Sequence, residues 1–260
     1  MQMAIRPREL WRTALLFSLL VLLWEMGVRL GHVPPYVLPA PSRILIVFFT
    51  KLPLFLQHGA VTLAEVALGL TLGAFGGIGI ALTVFYVRPL GQALYPLILG
   101  SQMVPVFAIA PLLVLWLGYG IWPKAIVAAL ISFFPIAVNM SDGLRSVGGE
   151  LVDLLHSLGA SEWKIFRLVR LPASLPFLLS GLKVAATLSL VGATIGEWIG
   201  AERGLGYFML YANALLRVDQ VFAAILTLTI LGVMLFGGVT LLQRKLLRWR
   251  RRGQLERRQL

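Results

Sequence analysis

The sequence predicts an all-α, polytopic membrane protein with six transmembrane helices. Three observations carry this. Of 260 residues, 58% are hydrophobic and only 13% are charged, whereas about a quarter of a soluble domain is charged. The apolar residues fall into six runs that can cross a hydrocarbon layer of about 30 Å as helix, at about 1.5 Å per residue. The basic residues gather at the ends of those runs, eight of the 23 lying within 244–258. A net charge of +12 in a soluble chain would suggest nucleic acid. Here it follows membrane sorting and implies no nucleic-acid partner. There is no cysteine, and the three histidines, His32, His58 and His156, are far apart, so neither a disulfide nor a metal site is expected.

The elements follow in order. Arg6, Arg8 and Arg12 precede an apolar run at about 13–30. It is long enough to span and no small-x-small cleavage site follows, so an uncleaved first helix is expected rather than a signal peptide. Glu25 and Arg29 are four apart and can pair on one face near its outer end. The stretch GHVPPYVLPAPS, 31–42, favours an extended path. Residues 43–57 are apolar but short and interrupted by Pro53. They predict a helix lying on the outer surface, which completes an N-terminal part, 1–59, ahead of a five-span core, 60–243.

The second span covers about 61–87, and its Gly69, Gly73 and Gly77 are spaced for close helix packing within the subunit. The third, about 93–117, contains Pro96, Pro105 and Pro111 and is predicted to be kinked or broken, which is tolerated where backbone is buried or lines a cavity. Gly118, Tyr119 and Gly120 make a tight outer turn. The fourth span is 122–140 with Pro135 inside, the fifth 174–199 and the sixth 220–242. A more polar outer connection, 200–219, joins the last two. The basic tail, 244–260, is expected to meet anionic lipid headgroups.

Six spans place both termini on one side. That side carries 16 basic residues against six on the other, with Lys183 inside a span. Positive charge favours the cytoplasm, so both termini and the 142–173 loop are expected there.

That loop holds the longest polar interval, 150–172. A helical projection of 161–170 puts Ile165, Phe166, Leu168 and Val169 on one arc and Lys164, Arg167 and Arg170 opposite, with Trp163 among them. Gly159 offers a positive-φ corner, and Pro172 is expected to hold Leu171 extended and close the segment. A helix resting on headgroups and a docking element for a partner both fit this pattern.

The spacing favours docking. Asp153-Leu154-Leu155 is followed after three residues by Gly159, after nine by Val169, and after one by Leu171-Pro172. This resembles the EAA signature of ABC importer permeases, with Asp153 in place of Glu and Leu154 and Leu155 in place of two alanines. The stretches LPAPSRIL, SQMVPVFAIAPLLVLWLGYG, FFPIAVNMSDGLRSV and GLKVAATLSLVGATIGEWIGAERGLGYFM resemble the nitrate/sulfonate/taurine-type branch, and the SQ-x-x-P form is similar to members that import thiamine precursors or riboflavin. The resemblance implies a type I importer permease core in a bacterial inner membrane. It implies a homodimer, two ATP-binding subunits, and an extracytoplasmic substrate-binding protein. It also implies a coupling helix that uses Asp153, Leu154, Leu155, Gly159, Trp163, Ile165, Phe166, Val169, Leu171 and Pro172. ATP and magnesium would then sit on the partner ATPase, with no cofactor in this chain.

No G-x-x-x-x-G-K-[ST], H-E-x-x-H or G-x-S-x-G occurs, so no catalysis is expected of this chain. Gln102, beside the helix-breaking Pro105, is a candidate for the translocation path, as are the span residues Glu65, Lys183 and Glu197, each taken to lie near a span end. An ion-coupled secondary transporter would need acids at mid-span, which are scarce. A non-transporting scaffold would have no ATPase partner.

Overall fold

A computed structural model describes residues 7–101 and 103–247, and every regular element among them is helical. The first helix, α1 (Pro7–Leu30), leaves its apolar side chains exposed, as a helix solvated by lipid does. It is tied to the next helix, α2 (Pro41–Thr50), through polar groups. The Glu25 carboxylate accepts from the Ser42 backbone N–H at 2.9 Å and the Ser42 hydroxyl at 2.7 Å, and pairs with Arg29 at 2.6 Å. The expected Glu25–Arg29 pair is present, and its further task is to cap α2 from outside the helix.

The second span is longer than its apolar run. Helix α3 covers Leu52–Tyr86, so residues 52–57 are its first turns rather than part of a surface helix. Pro53 starts α3 instead of interrupting it, because a proline in the first turn forfeits no intrahelical hydrogen bond. The third span is broken as expected, into α4 (Arg88–Ser101) and α5 (Val106–Leu117). Gly118 turns the chain at φ +74° into α6 (Ile121–Arg145).

Beyond α6 come two loop helices, α7 (Gly149–Ser157) and α8 (Glu162–Ile165), then a π-helical turn, Phe166–Arg170, and α9 (Leu171–Gly200). Helix α10 (Leu205–Ala214) lies within the polar connection 200–219, and α11 (Val218–Leu246) closes the described chain. Five continuous helices among the described residues are long and apolar enough to cross a membrane, with α4 and α5 as shorter pieces between them.

Helix α6 is the axis of the core, with α3 and α9 packed along it. Missing side chains make this possible. A Cβ at Gly69 would stand 2.7 Å from the Ala125 carbonyl, one at Gly77 would stand 2.8 Å from the Phe133 carbonyl, and one at Gly192 would stand 2.7 Å from Ala128 Cα. The predicted glycine stripe of α3 therefore packs inside the subunit, and α9 presents its own stripe to the same helix.

Candidate functional site

The loop between α6 and α9 is built as two helices at a corner. Leu158 N–H reaches the Leu154 carbonyl, Gly159 N–H the His156 carbonyl at 2.9 Å, and Ala160 N–H the Leu155 carbonyl at 3.0 Å. With Gly159 at φ +79°, this is a Schellman closure of α7, and it explains chemically why a glycine stands there. Ser161 then caps α8 by accepting from Lys164 N–H. Glu162 braces the corner: its carboxylate meets His156 Nε2 at 3.0 Å and Arg170 Nη1 at 3.7 Å. The Arg170 guanidinium also lies 4.8 Å above the Phe85 ring of α3.

The apolar arc faces inward in part, which corrects the expected docking surface. Ile165 is buried and Phe166 is 7% exposed, packed with Ala81, Met140 and Leu144 of α3 and α6. Phe166 also meets Tyr86 at 5.3 Å and Trp163 at 5.6 Å between ring centroids. Phe166 anchors the corner to its own subunit because α3 and α6 offer it an apolar seat. The free surface belongs to other residues. Leu154, Leu158, Trp163 and Leu168 are exposed, Trp163 by 64% and Leu158 by 75%. Asp153 is exposed too, while Leu155, Val169, Leu171 and Pro172 are half-buried.

Pro172 does not close the segment. Leu171 is helical, at φ −64° and ψ −49°, and its N–H bonds the Phe166 carbonyl five residues back. The wider turn changes the hydrogen-bonding register just before Pro172, so the missing N–H and the ring are accommodated without breaking the helix. Residues Glu162–Gly200 thus run as one continuous helix.

The proposed path residues separate. Gln102 lies outside the described residues. Pro105 is exposed and starts α5, at the break in the third span. Glu65 and Glu197, expected near the path, are 3% and 1% exposed and lie against one another inside the subunit. Glu197 accepts from Thr62 Oγ1 at 2.6 Å and from the Gly206 backbone N–H. Thr62 accepts in turn from Leu205 N–H at 2.9 Å, and His58 Nδ1 from Gly204 N–H at 3.1 Å. The buried Lys124 ammonium, near the start of α6, donates to the Gly120 carbonyl at 2.6 Å and attracts Glu65. This cluster bolts the α9–α10 corner to α3 rather than opening to a pathway. The roles of Thr62 and His58 were not legible in the sequence, since a hydroxyl or imidazole within an apolar run has no telling spacing.

Lys183 is a second correction. It sits twelve residues into α9 and well inside the longer continuous helix, not near a span end. Its side chain is half-buried, with Nζ 5.5 Å from the centre of the Phe236 ring on α11. Beside it a groove of about 730 Å³ runs between α9 and α11, lined by Thr187, Val191, Thr194, Trp198, Thr229 and Phe236 among others.

The corner at Gly159 stands where the EAA-like spacing places it, and the family comparison identifies the chain. The profile described as binding-protein-dependent transport system inner membrane component matches residues 69–248. The chain belongs to that family. The permease is 39% identical over 249 residues to the formylaminopyrimidine transport permease protein ThiX of Halalkalibacterium halodurans, covering 95% of this chain and 99% of that one. It is 36% identical over 233 residues to the riboflavin transport system permease protein RibX of Chloroflexus aurantiacus, covering 89% and 87%. Among solved structures it is similar to a chain of the MetNI methionine ABC transporter in an inward-facing conformation, with a TM-score of 0.64 at 18% identity over 76% of this chain and 98% of that one. The protein is a multi-pass, membrane-spanning permease subunit of an ABC importer.

Proposed function

We propose that this permease works as a homodimer with two ATP-binding subunits and an extracytoplasmic binding protein, and that the α7–α8 corner is where ATP hydrolysis is coupled to transport. ATP and magnesium belong to the ATPase partner in this reading, and this chain holds no cofactor. Both termini face the cytoplasm, which puts the corner within reach of an ATPase. One observation carries the proposal: an exposed apolar surface of Leu154, Leu158 and Trp163 stands on a bracket whose underside, at Phe166, is packed against α3 and α6, and which continues unbroken into α9. A push on the exposed side is thereby delivered to three spans at once. The solute is a small organic molecule of the size class set by formylaminopyrimidine and riboflavin, the solutes named for two relatives.

The test is assembly and coupling in the reconstituted complex. Trp163→Ala and Leu158→Ala should each weaken co-purification of the ATPase subunit, because truncating an exposed anchor at an interface commonly costs about 2 kcal/mol. Wild-type assembly and wild-type stimulation of ATP hydrolysis in both variants would remove the corner from the interface.

A further inference from the structure

Lys183 is a cation placed where the bilayer offers it nothing. Leu171, the first residue of α9, lies twelve residues away, or about 18 Å along the helix, beyond the distance a lysine side chain can snorkel. Among the described residues no carboxylate lies within ion-pairing distance of it. Its ammonium lies 5.5 Å from the centre of the Phe236 ring. An ammonium facing lipid at this depth costs several kcal/mol, so such a residue faces protein or water. The α9 face outward of it is also unsuited to lipid alone. Thr187 stands one turn further along, exposed, and the groove continues past Thr194 to the half-exposed Trp198, with Thr229 on the opposite wall. Apolar walls, hydroxyls and two aromatic rings line the groove with no acid among them, and the Lys183 ammonium stands beside it against the shared Phe236 ring; together they suit an organic body with a negatively charged end.

We propose that Lys183 is the solute-facing charge of the translocation path, and that the groove along α9 favours organic solutes bearing an anionic end and turns cations away. This rests on the importer reading above. An anion approaching the groove meets an attractive, poorly screened charge in a low-dielectric setting, which raises its local concentration. A cation meets the opposite field.

The absence of cysteine makes the test direct. Thr187→Cys puts a single thiol one turn from Lys183. In membranes holding the permease–ATPase complex, the thiol is challenged with two methanethiosulfonates of similar size, one bearing a sulfonate and one a trimethylammonium. Rates are normalised to a small free thiol. The anionic reagent should react at least about tenfold faster. Adding Lys183→Gln should bring the ratio close to one, and Lys183→Arg should preserve it. Equal rates with Lys183 present would overturn the charge selectivity while leaving a water-accessible path. Failure of both reagents, in Thr187→Cys and equally in Val191→Cys, would show a face closed to water and overturn the path assignment as well.

Discussion

A leucine and a glycine show how the same backbone demand is met at two corners. Gly159 adopts φ +79° at the end of α7, and Leu216 adopts φ +56° at the end of α10, with Leu216 N–H and Arg217 N–H bonded to the Asn213 and Ala212 carbonyls at 2.9 Å. A bulky side chain in the left-handed region costs about 1–2 kcal/mol, and Leu216 is mostly exposed, so little packing offsets that cost. Leu216→Gly should therefore stabilise the permease by about 1 kcal/mol, read as a higher midpoint of thermal unfolding in detergent. Gly159→Val should lose a similar amount or more, although no neighbour would touch its Cβ. At Thr62 the hydroxyl both donates to Glu197 and accepts from Leu205. Thr62→Val keeps the shape and leaves buried polar groups unpaired, at a cost of about 1–3 kcal/mol on the same measurement. Gly159 was legible in the sequence because its spacing to Leu171-Pro172 is distinctive. Thr62 was not, because its partners lie 135 and 143 residues away and pairing at that range leaves no local pattern.

At the level of elements, the glycine stripes make a differential prediction. Gly192→Val pushes a branched side chain into Ala128 of α6, and Gly77→Val into the Phe133 carbonyl and Ile136, whereas Gly79 and Gly237 have open space around them. The first two should disrupt the α3–α6–α9 core and lower the yield of folded protein. Gly79→Ala and Gly237→Ala should leave it unchanged or slightly raised, since alanine is the better helix former. Size-exclusion profiles of the four variants separate the cases. Spans were readable from apolar runs because lipid enforces helices wherever side chains are apolar. What failed was punctuation. Pro53 and Pro172 were both read as breaks, yet one begins α3 and the other follows a π-helical turn inside a continuous helix. A proline's effect depends on whether the carbonyl one turn back still needs its N–H, and that is a property of the hydrogen-bond register rather than of sequence alone.

On the scale of the molecule, the two ends carry different bonds. The end at α10 is held by buried polar contacts among α3, α6, α9 and α10, and the end at the α7–α8 corner by aromatic and apolar contacts around Phe166. Phe166→Ala should cost about 3–5 kcal/mol of stability as a core truncation. Trp163→Ala should leave the isolated permease near wild-type stability and act on the ATPase contact instead. Thermal unfolding and co-purification on both variants distinguish anchor from contact. Orientation gives a separate check: a cysteine at Gly120 should be labelled from outside only, and one at Leu158 from the cytoplasmic side only. The overall plan was legible from the apolar runs and the loop spacing. Which of Ile165, Phe166, Leu168 and Val169 face outward was not, because an apolar arc is equally satisfied by its own subunit and by another protein.

The 39 residues of unbroken helix from Glu162 to Gly200 have a mechanical consequence. At about 1.5 Å per residue the rod is about 58 Å long, nearly twice the thickness of the hydrocarbon it crosses. A tilt of about 5° about its tip at the α8 corner swings the far end sideways by about 5 Å, the diameter of a helix backbone cylinder. The chain therefore needs no relay of small rearrangements to carry a change of angle at the corner to the opposite end. One stiff beam hinged at its loop end turns a small rotation there into a displacement at the other.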